Sequence, residues 1–371
     1  MGLLQQFRQA REKVPPSASG RYRHDPTLSL ANATISGMLA ASAALRRISA
    51  PAGASDAIAL TVERRRVVAR DQDVIELTFA PTVGALPTWY PGAHVDIHLP
   101  SGLVRQYSLC GDPRSTERYR IAVRRIADGG GGSVEIHDTV REGATVHTYG
   151  PRNAFPLTVP GHGSPTRRFR FVAGGIGITP ILPMLHLARR LRVDWSMVYV
   201  GRSRDSLPFI DEVTALGANV EIRTDDVCGL PTAAELLGDC PGGTAVYACG
   251  PAPMLTAIRK ALSGRDDVEL HFERFAAAPV IDGGSFRAIV STTGETLAVG
   301  AEETLLTALR RAGVDAPYSC QQGFCGTCRT RVLAGRPDHR DTLLTEPERA
   351  AGLMLTCVSR AAPGSSLTLD L

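Results

Sequence analysis

The alternation of apolar and polar positions divides the chain into four regions. From about residue 58 to 160, runs such as "AIALTVERRRVVA", "VIELTFA", "HVDIHLP" and "YRIAVRRIA" are separated by Gly, Pro and Asp turns. Short runs at that spacing predict strands that close into an antiparallel β-barrel. Between 165 and 275, strand-like runs alternate with helix-period stretches: "FRFVAGG" precedes "TPILPMLHLARRLR", and "TAVYACG" precedes "PAPMLTAIRKALS". This alternation predicts an α/β domain, a parallel sheet with crossover helices. A turn-rich linker at 276–285 leads to an α+β unit at 286–371, where "EETLLTALRRAG" has a helical pattern. Residues 1–57 differ in texture, being rich in Ala, Ser and Arg and interrupted by Pro15, Pro16, Pro26 and Pro51. There Ile35, Met38, Leu39, Leu45 and Ile48 recur at roughly helical spacing, which predicts one weakly amphipathic helix in an extension that is otherwise loose or mobile.

Composition adds mainly exclusions. The net charge of +4 is spread along all 371 residues, so no basic face for nucleic acid is expected. No run reaches the roughly 18 apolar residues of a membrane span, so no stable membrane insertion is expected. The opening "MGLLQQFRQAREK" is too polar for a secretory core, and a cytoplasmic location is the expectation. In a reducing compartment, eight cysteines read as ligands or core thiols rather than as a disulfide framework.

Three of those cysteines sit together in "PYSCQQGFCGTC". Cys320, Cys325 and Cys328 form C-x4-C-x2-C, and Cys357 follows after 28 more residues. This is the plant-type [2Fe–2S] spacing, in which four thiolates hold two irons. Gly323 and Gly326 suit a loop that must wrap a cluster closely. A four-cysteine zinc site is the alternative, but zinc sites usually pair two short knuckles and only one is present here. Cys110, Cys228 and Cys240 lack ligand-like neighbours and read as ordinary thiols.

Other motifs are weaker singly. "VAGGIGITP" and "YACGPAPM" are glycine turns that end strands of the α/β region, where open sheets bind nucleotides. "RQYSL" sets a cation, a phenol and a hydroxyl along one strand, with Arg105 and Tyr107 expected on one face. "GGGGSVEIHD" runs into a helix whose N-terminus, near Ser133, favours an anion.

The order R-x-Y-S-L, G-G-S, G-P-R-N-x-F-P-L, G-G-I-G-I-T-P, C-G-P, H-F-E-R-F and C-x4-C-x2-C…C resembles the phthalate dioxygenase reductase and vanillate O-demethylase reductase family, over residues 58–371. The resemblance implies a flavin-binding barrel, a nicotinamide-nucleotide domain and a β-grasp-like ferredoxin domain. Carried onto matching positions, it implies that Arg105, Tyr107 and Ser108 contact the flavin, with Ala122, Val123 and Arg124 lining it. Gly131, Gly132 and Ser133 would hold its phosphate, and Thr179 would approach its ring. Gly174, Gly175, Gly177, Cys249, Gly250 and Pro251 would line the nicotinamide nucleotide, with Phe275 near both rings. Cys320, Cys325, Cys328 and Cys357 would be the iron ligands. FMN is the implied flavin, and FAD, used by related reductases with the same R-x-Y-S strand, fits less well. The nucleotide is NADH or NADPH. After "YVG", Ser203 stands where a carboxylate would select NADH, and Arg202 and Arg204 beside it are compatible with a 2′-phosphate.

The implied function is that of a reductase component: electrons pass from NAD(P)H through FMN and a [2Fe–2S] cluster to a partner oxygenase of Rieske type, which docks near the cluster loop. No catalytic side chain beyond the cofactors is required. His271 is expected to be structural. Gln321, Gln322, Phe324 and Arg329 are expected on the docking rim. The alternatives are a reductase for a cytochrome P450, a stand-alone flavin, quinone or nitric-oxide reductase, and a zinc-stabilised binding module.

Overall fold

A computed structural model describes residues 25–31, 34–35, 57–127, 130–160, 164–275, 280–323, 325–341 and 343–371. The chain divides into two compact units, Met1–Asp56 and Ala57–Leu371. In the first, residues 26–31 are helical. Asp25 Oδ1 caps this turn by accepting from the amides of Thr27 (2.9 Å) and Leu28 (3.1 Å). Pro26 thus opens a helix instead of breaking one, as its fixed φ and missing N–H allow at the first helical position. Of the apolar stripe expected in this region, Ile35 is described and exposed; Met38, Leu39, Leu45 and Ile48 lie outside the described residues.

The second unit contains three main sheets. The first has six antiparallel strands: β1 (Ile58–Ala69), β2 (Val74–Pro81), β3 (Ala93–His98), β4 (Val104–Ser108), β5 (Tyr119–Arg124) and β6 (Thr145–Asn153). Their order is β4-β3-β6-β1-β2-β5. Leu60, Leu77, Phe79, Val95, Ile97 and Ile121 fill its interior, as the period-two pattern requires. The edges of this curled sheet are β4 and β5, so the barrel is open on that side. The connection from β5 to β6 contains α1 (Gly132–Thr139).

The second sheet is fully parallel, with β7 (Arg168–Gly174), β8 (Asp194–Gly201), β9 (Val220–Thr224), β10 (Thr244–Cys249) and β11 (Val268–Glu273) in the order β11-β10-β7-β8-β9. Two of its crossovers are α2 (Ile178–Leu191) and α3 (Ala252–Ala261). One core spans the first two sheets: Ala69, Val74 and Phe155 pack into the same cluster as Phe171, Ile181 and Tyr247.

The glycines at the start of α2 have a packing reason. A Cβ on Gly177 would lie 2.2 Å from the Cys249 carbonyl oxygen, and one on Gly174 would lie 2.6 Å from Pro251 Cδ. The two glycine turns, at the ends of adjacent strands β7 and β10, therefore close on each other backbone to backbone.

The third sheet is mixed: β12 (Phe286–Val290), β13 (Thr296–Val299), β14 (Arg329–Ala334), β16 (Leu353–Leu355) and β18 (Ser366–Leu369), in the order β13-β12-β18-β14-β16. A small ladder joins β15 (Pro337–Asp338) to β17 (Arg360–Ala361). Against the sheet packs α4 (Leu305–Arg311), which buries Leu305, Leu306, Ala308 and Leu309. A five-stranded mixed sheet crossed by one helix is the β-grasp arrangement expected for a ferredoxin unit.

Candidate functional site

A cleft of about 200 Å³ lies where the three sheets meet. Its walls are His94 of β3, Arg105 to Ser108 of β4, Ala122 and Arg124 of β5, Ser133 of α1, Ile176 just before α2 and Thr179 in its first turn, Glu273 to Phe275 at and after the end of β11, and Ser319 to Gln322 of the cysteine loop. The two edge strands of the open barrel thus face the cleft, where backbone groups without ladder partners can meet a ligand. Ser133 Oγ accepts from the Ile126 amide at 3.1 Å. Thr179 Oγ1 donates to the Ile176 carbonyl at 3.1 Å.

Most residues expected at a flavin come together here, with corrections. Val123 is fully buried in the barrel core, because on β5 it points opposite to Ala122 and Arg124. Its side chain cannot line the cleft, and its carbonyl is bonded to His137 Nε2 at 3.0 Å. Gly132 leaves room for Arg105, since a Cβ there would fall 2.5 Å from Arg105 Cγ. Gln322 was expected on an outer rim, but its side-chain amide donates inward to the Arg274 carbonyl. Arg329 stays half-exposed and pairs with Glu348. Phe324 lies outside the described residues. His271 is stacked on Tyr247, with ring centroids 4.6 Å apart.

Glu273, in the "HFERF" stretch, is a polar group that lines the cleft. It accepts from the Ser108 hydroxyl, and burial pushes its carboxyl up to about 8. Its Oε2 is buried with no hydrogen-bond partner among the described residues. Behind it Cys249 is fully buried, and burial and the Glu273 charge raise its thiol well above the ordinary range. His94 is held neutral at pH 7, since burial and Arg152 push its imidazole down to about 4.

Because the folded value of Glu273 lies above the ordinary 4.5, the native state binds the extra proton. Its contribution is complete below pH 4.5 and is lost as pH rises through about 8. Glu273→Gln should therefore flatten the decline of stability between pH 5 and 8.5, by on the order of a few kcal/mol. Denaturant melts of the two proteins at both pH values read this directly, and parallel declines would remove Glu273 as the source.

The four clustered cysteines converge. Cys320 lies within hydrogen-bonding contact of Cys325 and Cys357, and Cys357 also contacts Cys328. These contacts raise the Cys325 and Cys357 thiols, while the Cys357 bond lowers Cys328. Thiols this close ionise together only beside cations. Among the described residues, no three side chains gather as ligands of a single ion. The contacts of Cys320 with Cys325 and of Cys357 with Cys328, on a C-x4-C-x2-C…C spacing, suit a two-iron cluster. Gly323 (φ +83°), Gly326 (φ +77°) and Gln321 (φ +57°) let the loop coil round that point. The Gln322 amide already donates to Cys320 Sγ at 3.3 Å.

Beyond β8, Ser203 Oγ donates to Asp71 Oδ2 at 2.6 Å. Asp71 lies in the β1–β2 turn. Burial, and after it the nearby Arg202 guanidinium, lower the Arg124 pKa.

An open flavin-type barrel, a parallel nucleotide-type sheet and a β-grasp sheet with four converging cysteines, all facing one cleft, define a pyridine-nucleotide-dependent flavin and iron–sulfur oxidoreductase. Residues 289–362, which include all four cysteines, match the family model described as a 2Fe-2S iron-sulfur cluster binding domain. The vanillate O-demethylase oxidoreductase of Pseudomonas sp. is 40% identical, covering 85% of this chain and 100% of its own. A solved structure of phthalate dioxygenase reductase, described as a modular structure for electron transfer from pyridine nucleotides to [2Fe-2S], matches with TM-score 0.62 at 31% identity, over 85% of this chain and 98% of that one. An intact type IV self-sufficient cytochrome P450 monooxygenase matches with TM-score 0.62 at 38% identity, over 85% of this chain and 41% of that one. The chain belongs to the phthalate dioxygenase reductase and vanillate O-demethylase reductase family, and it is the NAD(P)H-dependent reductase component of an oxygenase system. No helix among the described residues is long and apolar enough to cross a membrane.

Proposed function

We propose that the chain carries electrons from NADH through FMN to a [2Fe–2S] cluster and on to a Rieske-type oxygenase in the cytoplasm. One observation carries this reading: the R-x-Y-S edge strand, the end of the nucleotide sheet and the Cys320 loop all border a single cleft. When bound, the flavin takes a hydride's two electrons together and releases them singly to the cluster. The chain's own residues do the rest. Arg105, Tyr107, Ser108, Ala122 and Arg124 hold and orient the flavin ring system, while Gly131, Gly132 and Ser133 receive its phosphate at the N-terminus of α1. Thr179 and Phe275 flank the place of hydride transfer and exclude water. The turns at Gly174, Gly175 and Gly177 and at Cys249, Gly250 and Pro251 form the floor under the nicotinamide nucleotide. NADH is favoured over NADPH because Asp71 brings a carboxylate to Ser203. Cys320, Cys325, Cys328 and Cys357 hold the iron.

The domains are an extension at 1–57, a flavin barrel at 58–160, a nucleotide domain at 165–275, a linker at 276–285 and a ferredoxin domain at 286–371. The oxygenase docks over the cluster loop, with Arg329 on the rim. A haem partner is the second reading, favoured by the likeness to the self-sufficient P450.

Metal and flavin analysis of the purified protein tests the cofactor set. About two irons and one FMN per chain are expected, with a yellow-brown spectrum. A colourless protein containing zinc would overturn it.

A further inference from the structure

The cysteine loop is pinned to the barrel by a contact that neither the flavin motif nor the cysteine spacing requires. Tyr318, two residues before Cys320, is only 8% exposed. Two guanidinium carbons, Arg105 Cζ from the barrel edge and Arg310 Cζ from α4, each lie 4.4 Å from its ring centroid. Arg105 Nη2 donates to the Tyr318 hydroxyl and to the Gly130 carbonyl, both at 2.7 Å. The electron-rich ring and the carbonyl offset the repulsion between the two cations. The turn before α1 is shaped around this stack. Gly130 has φ +79°, and a Cβ there would fall 2.3 Å from the Tyr318 hydroxyl oxygen and 2.8 Å from Arg310 Nη2. Part of the glycine run that reads as a phosphate turn is therefore occupied in seating the tyrosine that leads into the cysteine loop.

We infer that Tyr318 and Arg310 are positioning residues that seat the cysteine loop on the turn before α1 and so fix how closely the cluster approaches the cleft. The inference rests on the proposed electron path, but it assigns the control of that approach to residues that hold neither iron nor flavin. Arg310 has no other ion pair or hydrogen bond among the described residues that would explain its place at the ring. Its charge is spent on the stack. The same stack ties the cluster loop to Arg105, the cation expected at the flavin, so the two cofactor sites share one structural joint.

The test compares Tyr318→Ala, Arg310→Gln and Tyr318→Phe as holoproteins, mixed anaerobically with NADH and followed at flavin and cluster wavelengths. Flavin reduction is expected to stay within about twofold of the parent in all three. Cluster reduction should slow about ten- to a hundredfold in Tyr318→Ala and Arg310→Gln, the scale of effect of a small misplacement. Tyr318→Phe, which keeps the ring, should retain most of the rate. Amide hydrogen exchange gives a readout independent of turnover: segments 130–136 and 316–323 should exchange faster together in Tyr318→Ala and Arg310→Gln, and not in Tyr318→Phe. If Tyr318→Ala loses iron, Arg310→Gln decides, because its side chain is remote in sequence from every cysteine ligand. Parent-like cluster reduction in Arg310→Gln, or unchanged exchange at 130–136, would overturn the inference. A parent protein whose cluster NADH fails to reduce would instead overturn the electron path itself.

Discussion

Cys357→Ser is expected to leave a yellow protein that accepts a hydride and passes no electron onward. Cys357 is buried and touches both Cys320 and Cys328, so it closes the set from across the fold while the other three share one loop. It also sits beside Thr356, whose carbonyl accepts from the Leu306 amide of α4 at 2.9 Å, a bond that fixes its position. A hydroxyl there is a poor iron ligand, and the remaining thiolates complete only one iron. The measurable result is loss of cluster absorbance and of electron delivery to the oxygenase. NADH-dependent flavin bleaching should persist, because nothing in the flavin wall is changed. Full cluster absorbance in the variant would mean that Cys357 is not a ligand.

Arg105→Ala is expected to weaken FMN binding about ten- to a hundredfold, the usual loss for a hydrogen bond to a charged group. Arg105 is the cation of the open barrel edge, and a Cβ on Gly132 would strike its side chain, so the turn and the arginine fit as one piece. Fluorescence titration of the flavin-stripped variant with FMN reads the affinity. Parent-like affinity would mean that Arg105 does not hold the flavin. The cluster spectrum should remain, although the Tyr318 stack loses one of its two cations.

Much of this architecture is legible from short-range pattern. Alternation along "VIELTFA" becomes β2 with Ile75, Leu77 and Phe79 in the barrel core. The strand–helix alternation after residue 165 becomes a wholly parallel sheet. The cysteine spacing marks four thiols that converge. What spacing cannot carry is which side of a strand meets the ligand and what crosses between sheets. Val123 was expected at the flavin because a motif reads as a continuous string, whereas a pleated strand turns every second side chain away. Glu273 meets Ser108, and Ser203 meets Asp71, across separations of 165 and 132 in sequence numbering. The Arg105–Tyr318 bond spans 213. The glycines of "AGGIG" read as ligand-approach residues, yet Gly174 and Gly177 are required first by the neighbouring turn at Cys249–Pro251. In each case the deciding partner is distant in sequence and close only after the sheets have assembled.

The most direct test of the electron path is an anaerobic titration with NADH, counted in equivalents per chain. A hydride brings two electrons, the flavin holds two and the cluster one. The parent protein should therefore consume about one and a half equivalents, and Cys357→Ser about one. A parent protein that saturates at one equivalent with its cluster still oxidised would contradict the path.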